Sequence, residues 1–206
     1  MAFRLPRQGT IAKPLRLAVL ISGSGSGMEA LLNHQKKNCS HVTKIVISNK
    51  EGVAGLAKAE KHGIPAIAVI PESAKDREGH EREMDAILEK YEVEAVILSG
   101  YMRILSPWFV GKWEGRLLNI HPSLLPEFPG AHAHRDVIAA GVEVSGCTVH
   151  FVDNGMDSGQ IIAQRSVPVL QGDTEESLQE RVKQVEHALY PEVIDAFAES
   201  RLESIN

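Results

Sequence analysis

The segment 117–130 reads LLNIHPSLLPEFPG and carries an amide and an imidazole two residues apart, followed by three prolines. On the two-residue repeat of a strand, Asn119 and His121 project to the same side and can aim at a common point. The prolines exclude a helix and restrict the loop that follows. A protonated imidazole and an amide N–H can together stabilise the oxyanion of a tetrahedral intermediate. The segment therefore predicts a catalytic centre at Asn119 and His121.

The turn DNGMDSGQ supplies two carboxylates that could complete this centre, Asp153 and Asp157. Either could hydrogen-bond an imidazole and raise its pKa, which would keep the histidine charged at neutral pH. Aspartates also populate turns for backbone reasons alone, so both interpretations stay open on the residues. Ser123 has no evident base, which favours direct transfer to an acceptor over a covalent acyl-enzyme.

The glycine turn SGSGSG at 22–27 follows the apolar run LRLAVLI and is a second candidate site. Ser26 and Glu29 form a capping-box pattern, so we expect a helix directly after the glycines. Strand, turn and helix would present free N–H groups and the positive end of the helix dipole to an anion. The turn lacks the lysine of a triphosphate loop, and the next strand ends without a ribose-binding acid. A phosphate monoester site and a turn that serves only packing remain the two interpretations.

The apolar periodicity predicts the elements that position these residues. Strands are expected at 15–21, 42–48, 65–70, 94–99, 117–120, 144–152 and 161–169, with helices after the glycine turn and at 52–61, 77–91, 132–140 and from 173 onward. This order predicts an α/β fold: an open, mostly parallel twisted sheet with helices on both faces and a long C-terminal helix. Such sheets bind ligands beyond the carboxyl ends of their strands, so the glycine turn, the segment GYMRILSP and the NIHPS loop should share one crevice.

The C-terminal helix should begin at a capping-box pattern formed by Asp173 and Glu176, and Pro191 should kink or end it near Tyr190.

Four charged or titratable residues are further candidates at the crevice. Lys183, Glu186 and His187 fall on one side of the last helix, where they would line the crevice mouth or form a solvated charged face. Arg103, in the GYMRILSP segment, would bind an anion or cap the surface.

Composition limits the class of protein. With 206 residues, of which 43% are hydrophobic, we expect one domain at 15–206 after a flexible tail at 1–14. Cys39 and Cys147 lack a C-x-x-C partner, which indicates a reducing, cytoplasmic location and neither a disulfide nor a zinc knuckle. The net charge of −5 disfavours nucleic acid, and no apolar run approaches the length of a membrane span.

The histidines raise the question of a metal site, which the sequence does not support. His132 and His134 would diverge on a helix, His121 and His150 lie elsewhere, and no H-E-x-x-H motif or cysteine pair supports a zinc site. We expect no metal.

Five motifs in one order carry a family resemblance: ISGSGSG, GYMRILSP, NIHPSLLPEFPG, HFVDNGMDSGQII and RVKQVEHALYP. Over residues 16–201 the chain closely resembles the folate-dependent glycinamide ribonucleotide (GAR) formyltransferases. The resemblance implies a Rossmann-like formyltransferase fold and transfer of a formyl group from 10-formyltetrahydrofolate to the amine of GAR in purine biosynthesis. It implies small-molecule substrates, with no metal, nucleic acid or membrane; a homodimer is compatible with the sequence but not specified by it.

The resemblance also assigns site residues. It implies catalysis by Asn119, His121 and Asp157. It implies binding of the ribonucleotide by Gly25, Ser26, Gly27, Lys183 and Glu186, and of the folate by Arg77, Met102, Arg103, Ile104, Leu105 and Asp153.

The first turn departs from the family pattern. Ser24 and Gly27 stand where the family usually has asparagines, and Glu29 stands where glutamine is common. These departures put a side-chain contact to the phosphate in doubt and add a negative charge near it, although the backbone donors remain.

Two other functions stay open. A formyltetrahydrofolate hydrolase would use the same trio with water as the acceptor. Such enzymes usually carry an additional N-terminal regulatory domain. We expect that the segment before residue 16 is too short to form such a domain. A nucleotide-binding module without catalysis would make Asn119 and His121 ordinary loop residues.

Overall fold

A single sheet of seven strands organises the computed structural model, which describes residues 4–73 and 76–204. The strands are β1 Leu15–Ile21, β2 His41–Ser48, β3 Ala66–Ala68, β4 Ala95–Leu98, β5 Leu117–His121, β6 Val144–Phe151 and β7 Ile161–Pro168. Their order across the sheet is β3-β2-β1-β4-β5-β6-β7. Strands β1 to β5 pair in parallel, whereas β6 and β7 are antiparallel. The predicted open, mostly parallel sheet is confirmed.

Six α-helices surround this sheet in the described residues: α1 Ser26–His34, α2 Ala54–Lys61, α3 Arg77–Lys90, α4 Pro107–Lys112, α5 Ala133–Ala140 and α6 Glu175–Ala198, with a short 3-10 helix at Leu202–Ser204. Helix α4 was not expected, although Ser106 caps it and Pro107 occupies its first turn, a usual helix start. None of these helices combines the length and the apolar character needed to cross a bilayer.

Alternate residues of β1 explain why the strand reads as a continuous apolar run. Leu17 and Val19 pack in the core that includes α1 and α6, whereas Ala18 and Leu20 pack in the core that includes α3 and α4. All four side chains are fully buried. The strand is therefore covered on both faces, as parallel strands usually are.

The two predicted capping boxes are wrong in position. Gly25, in a left-handed conformation, is the N-cap of α1, and Ser26 already lies inside the helix without a capping hydrogen bond. At α6 the capping box joins Thr174 and Ser177, one residue later than predicted. Asp173 instead receives hydrogen bonds from the Arg181 guanidinium, at 2.6 and 2.8 Å, and these hold the pKa of Asp173 well below its usual range.

Pro191 was predicted to kink or end the last helix, and it does not end it. Helix α6 continues through it to Ala198, and Tyr190, Val193 and Ile194 around it are buried. The Tyr190 hydroxyl donates to the carbonyls of Leu98 at 2.9 Å and Leu118 at 3.1 Å, sharing one proton. Packing on both sides of the proline thus outweighs its local cost.

The described part of the N-terminal segment contacts the body of the protein. Arg7 forms an ion pair with Glu94 at 2.6 Å, and the Gly9 N–H donates to the Ala198 carbonyl at 2.7 Å. The flexibility of residues 1–14 and the domain boundary at 14/15 stay predictions.

Candidate active site

A cavity of about 320 Å³ opens at the carboxyl ends of β1 and β4, the point where the strand order reverses. Its walls are the glycine turn 22–27, the residues Ser99, Gly100 and Met102, the loop start at Ile120 and Pro122, and one side of α6. The prediction that three loops share one crevice is confirmed.

The glycine turn is shaped by two close approaches. Gly25 has φ +65°, and a Cβ there would lie 2.8 Å from the Gly55 Cα. A Cβ on Gly27 would lie 2.7 Å from the Ser99 hydroxyl, so Ser99 occupies the space that a side chain at 27 would need. Because no side chain caps α1, the first N–H groups of this helix remain available to an anion in the cavity.

Helix α6 brings two predicted residues to the same cavity. Lys183 and Glu186 line it, whereas His187 lies outside the lining. Burial raises the pKa of Glu186 to about 7, although the nearby Lys183 opposes this shift. The carboxyl group is therefore close to half-protonated at neutral pH and can both donate and accept a hydrogen bond.

Glu29 does not add an uncompensated charge to this cavity. Its carboxylate lies 2.7 Å from the Lys58 ammonium on α2. The hydrogen bond from Lys58 lowers the pKa of Glu29, so the carboxylate remains ionised beside its partner.

Asn119 is oriented by a histidine on the neighbouring strand. Strands β5 and β6 place Asn119 opposite His150, and the Asn119 amide nitrogen donates to His150 Nε2 at 3.1 Å. His150 Nδ1 donates to the Phe151 carbonyl at 2.8 Å. Burial lowers the pKa of His150, which fits this neutral tautomer. The sequence did not predict this contact between Asn119 and His150.

His121 lies between a carbonyl and a carboxylate. Its Nε2 is 2.9 Å from the Phe128 carbonyl oxygen, and its Nδ1 is 3.3 Å from Asp157 Oδ2. Both ring nitrogens therefore face acceptors, an arrangement that only the imidazolium satisfies fully. Asp157 Oδ2 also accepts the Gly130 N–H at 2.8 Å, which ties the aspartate turn to the proline loop.

Two strained residues hold this contact. Asp157 has φ +51° and Phe128 has φ +53°, and neither is glycine. A left-handed conformation costs such residues roughly 1–3 kcal/mol and persists where the surrounding structure enforces it. Strain of this kind clusters at functional sites, so it supports the assignment of the aspartate turn to the site.

His134 is a further side chain at the cavity that the sequence analysis considered only as a metal ligand. It is buried and lines the cavity, whereas His132 is exposed, so the two side chains diverge as expected. Burial, with Lys183 and His121 nearby, lowers the pKa of His134 to about 4. Its Nδ1 has no hydrogen-bond partner among the described residues, which leaves a neutral imidazole free to bind a ligand.

The segment assigned to folate divides between surface and core. Met102 and Ile104 are 65% and 61% exposed, whereas Leu105 packs in the core with α4. Between the two exposed side chains lies Arg103, whose Nη2 is buried without a hydrogen-bond partner among the described residues.

The other two residues assigned to folate lie apart from this segment. Asp153 Oδ1 accepts hydrogen bonds from the Gly155 N–H at 3.0 Å and the Ser158 hydroxyl at 2.8 Å, so it shapes its own turn. It also lines a second cavity, of about 660 Å³, with Trp108. Arg77 is exposed at the start of α3, outside the lining of both cavities.

The sheet order and the crevice at its carboxyl ends define the class: an α/β protein of the doubly wound type with a cavity at the switch point. The family model described as formyl transferase matches residues 15–194. The chain belongs to this family, and the resemblance predicted from the sequence is confirmed.

Named relatives agree with the family. Phosphoribosylglycinamide formyltransferase of Escherichia coli is 44% identical, over 91% of this chain and 89% of its own length. The trifunctional purine biosynthetic protein adenosine-3 of Bos taurus is 51% identical over 90% of this chain, which spans only 18% of that protein. The crystal structure of glycinamide ribonucleotide transformylase 1 from Symbiobacterium toebii superposes with a TM-score of 0.88 at 42% identity, covering 91% of this chain and 89% of that one.

Proposed function

We propose that this chain transfers the formyl group of 10-formyltetrahydrofolate to the amine of glycinamide ribonucleotide, a step of de novo purine biosynthesis. The observation that carries the proposal is the Asn119–His121–Asp157 group beside a cavity with an anion-binding helix start. Relatives that match over most of their length carry the name of this activity.

The ribonucleotide occupies the cavity of about 320 Å³. Its phosphate binds the free N–H groups of Gly25, Ser26 and Gly27, where the helix dipole favours negative charge. Lys183 adds a positive charge from α6. Glu186, whose pKa is about 7, exchanges hydrogen bonds with the ribose hydroxyls.

The chemistry is direct acyl transfer. The substrate amine attacks the formyl carbon, and the carbonyl oxygen becomes an oxyanion that Asn119 and protonated His121 stabilise. The bond from carbon to N10 of the folate then breaks, the amine loses a proton, and N10 gains one. Asp157 holds the imidazolium and assists proton transfer through water. These groups supply the whole of the proposed stabilisation, so the proposed reaction assigns no role to a metal.

One rearrangement is part of this proposal. His121 Nε2 donates to the Phe128 carbonyl, at 2.9 Å. This N–H must leave the Phe128 carbonyl before the N–H can donate to the oxyanion. Asp157 keeps its contact with Nδ1. A shift of the loop 122–130 on substrate binding would achieve this.

The folate lies against the segment that starts at Met102. The exposed side chains of Met102 and Ile104 cover the apolar rings, and Leu105 supports them from the core. The Nη2 of Arg103, which has no partner among the described residues, donates to the anionic tail. Asp153 contributes the wall of the second cavity, and Arg77 is a second candidate for the tail.

The wider expectations are proposals as well. The substrates are small molecules, residues 15–206 act as one domain, and both cysteines are free, which fits a cytoplasmic location. A homodimer remains compatible with this function.

The test is a three-way assay of the purified chain. Tetrahydrofolate should appear from the formyl donor only when glycinamide ribonucleotide is added. Release at the same rate without the acceptor would identify a hydrolase instead, and no release in either case would leave only a binding module.

A further inference from the structure

Four metal-ligating side chains meet at the opposite end of the sheet from the active site. His34 ends α1, Cys39 lies in the loop that follows, His41 begins β2, and Asp195 projects from α6. One ligand atom from each lies within 4.8 Å of those of the other three. The α1 helix separates this cluster from the glycine turn by about 13.5 Å, the length of its nine residues.

Hydrogen bonds alone account for only part of this arrangement. Asp195 Oδ2 lies 2.7 Å from His34 Nε2, and Asp195 Oδ1 lies 2.9 Å from His41 Nε2. The two imidazole rings stack, with centroids 6.3 Å apart. Cys39 takes no part in this His–Asp–His bridge, because its thiol only donates to the His34 carbonyl at 3.5 Å. A thiol, two imidazoles and a carboxylate thus lie within reach of one common ligand.

We propose that His34, Cys39, His41 and Asp195 form a structural zinc site. Two imidazoles, a thiolate and a carboxylate are the donors that Zn²⁺ takes in four-coordinate sites, whereas Mg²⁺ and Ca²⁺ need mostly oxygen. Tetrahedral ligands at zinc bond lengths lie about 3.3–3.8 Å apart. The ligand atoms, which lie within 4.8 Å of one another, must therefore contract to this range, while Asp195 and the histidines, now 2.7 and 2.9 Å apart, must separate slightly.

Four protein ligands leave no open position on the metal, so the site is structural and not catalytic. Zinc would tie the end of α1, the start of β2 and helix α6 together. The Gln35 amide nitrogen, 2.8 Å from His41 Nδ1, completes the surroundings. The Gln35 amide oxygen accepts the Thr43 N–H at 3.2 Å. When zinc binds Nε2, the proton moves to Nδ1, and the Gln35 side chain must give up one of these two contacts to offer its oxygen to that proton.

The test uses the full chain stripped with a chelator and titrated with Zn²⁺ against a chromophoric competitor. We expect one zinc per chain with a Kd below about 1 μM. Zinc at a hundredfold excess over Kd should raise Tm by about 5–10 °C, and Co²⁺ should give a thiolate charge-transfer band. Formyl transfer should be equal with and without zinc. Binding weaker than this, or an unchanged Tm, overturns the proposal.

Two variants and a control separate zinc binding from folding. Cys39→Ser and Asp195→Asn should each weaken zinc binding at least tenfold, and Cys39→Ser should abolish the charge-transfer band. Cys147→Ala removes the other cysteine, which is buried on β6, and should leave the band unchanged. A band that survives in Cys39→Ser, or disappears in Cys147→Ala, contradicts the assigned ligands. Loss of formyl transfer on chelation contradicts the structural role, whereas loss of transfer in every state of the protein bears only on the proposed function.

Discussion

Two aspartates in this protein each lie between two histidines, and the two groups differ in every other respect. Asp157 lies 3.3 Å from His121 and 3.7 Å from His150, whereas Asp195 lies 2.7 Å from His34 and 2.9 Å from His41. Asp157 stands on a turn with φ +51°, whereas Asp195 is a regular residue of α6. The same side chains thus form a loose, strained group at one end of the sheet and a tight, relaxed one at the other.

We propose that the difference separates a group held for chemistry from a group held for stability. Burial alone would raise the pKa of Asp195, but hydrogen bonds from His41 and His34 outweigh it and hold this pKa below its ordinary value. Asp195 is thus stabilised by the contacts it makes in the folded chain. Asp157 makes longer contacts, on a strained backbone beside a cavity, and substrate can shorten them.

Removal of the catalytic imidazole is expected to have the largest effect. His121→Ala should lower turnover by about two to four powers of ten, the usual loss for an acid-base or oxyanion group. The matched variant His34→Ala, in the other group, should change turnover by less than about threefold. Steady-state kcat with both substrates saturating measures this, with a thermal melt of each variant to show folding. Similar turnover in both variants would remove the catalytic distinction between the two groups.

Local sequence pattern was sufficient for one part of the catalytic group. Asn119 and His121 follow from a strand repeat and a proline loop within five residues, and both lie on β5. Asp157 was one of two candidate aspartates on the residues, and only the family resemblance selected it. The contact of His150 with Asn119 was not predicted, because it depends on the antiparallel register of β6 against β5, which no local pattern specifies.

The second group could not be predicted as a whole, because Asp195 is distant in sequence from His34 and His41. Asp195 meets His41 across 154 residues, and only the packing of α6 on α1 and β2 brings them together. The fold was predictable in class and order because two-sided burial makes the parallel strands continuous apolar runs. The two predicted capping boxes were wrong, because a left-handed glycine is the N-cap of α1 and Thr174 is the N-cap of α6. Pro191 does not end α6, because the residues around it are buried.

The next largest effect is expected for Glu186. Its burial at the cavity should lower the free energy of unfolding at neutral pH. Its pKa of about 7 lies above the ordinary value of 4.5, so the folded chain holds more protons between these pH values. Stability should therefore fall as pH rises from about 4.5 to 7. Glu186→Gln should stabilise the protein by roughly 1–3 kcal/mol at pH 8 and by almost nothing at pH 4, while KM for the ribonucleotide rises. Urea unfolding at the two pH values measures this, with the exposed Glu180→Gln as control. An equal effect at both pH values would contradict the raised pKa.

Asp195 should behave in the opposite way. In chelator, Asp195→Asn should cost about 1–3 kcal/mol at pH 7, because it weakens two charge-assisted hydrogen bonds to partly buried histidines. Since the folded pKa of Asp195 is lowered, the native advantage exists above the unfolded pKa and is lost as pH falls through the folded one.

The matched variant for Asp195→Asn is Asp157→Asn. It keeps an oxygen for the Gly130 N–H and should change stability by less than about 1 kcal/mol, while it lowers turnover at least tenfold. Chemical unfolding and kcat of both variants should therefore show opposite patterns. If Asp157→Asn were the more destabilising of the two, the loose contacts at the active site would be structural after all.

The smallest effect is expected for the Glu29–Lys58 pair. Its contact is short, like those of Asp195, and it lies near the cavity, like Asp157. Its charges lie 2.7 Å apart, but the side chains are 36% and 30% exposed, so solvent screens the pair. Glu29→Gln, which restores the residue common in the family, should change stability by less than about 0.5 kcal/mol. It leaves Lys58 unpaired near the phosphate, so KM for the ribonucleotide should fall by up to about threefold at low salt and not at high salt. The exposed Glu60→Gln on α2 is the control. A tenfold change in KM would mean that the Glu29 charge acts on the phosphate directly. In that case, the distance of a carboxylate from the cavity, and not the length of its ion pair, would determine whether it affects substrate binding or stability.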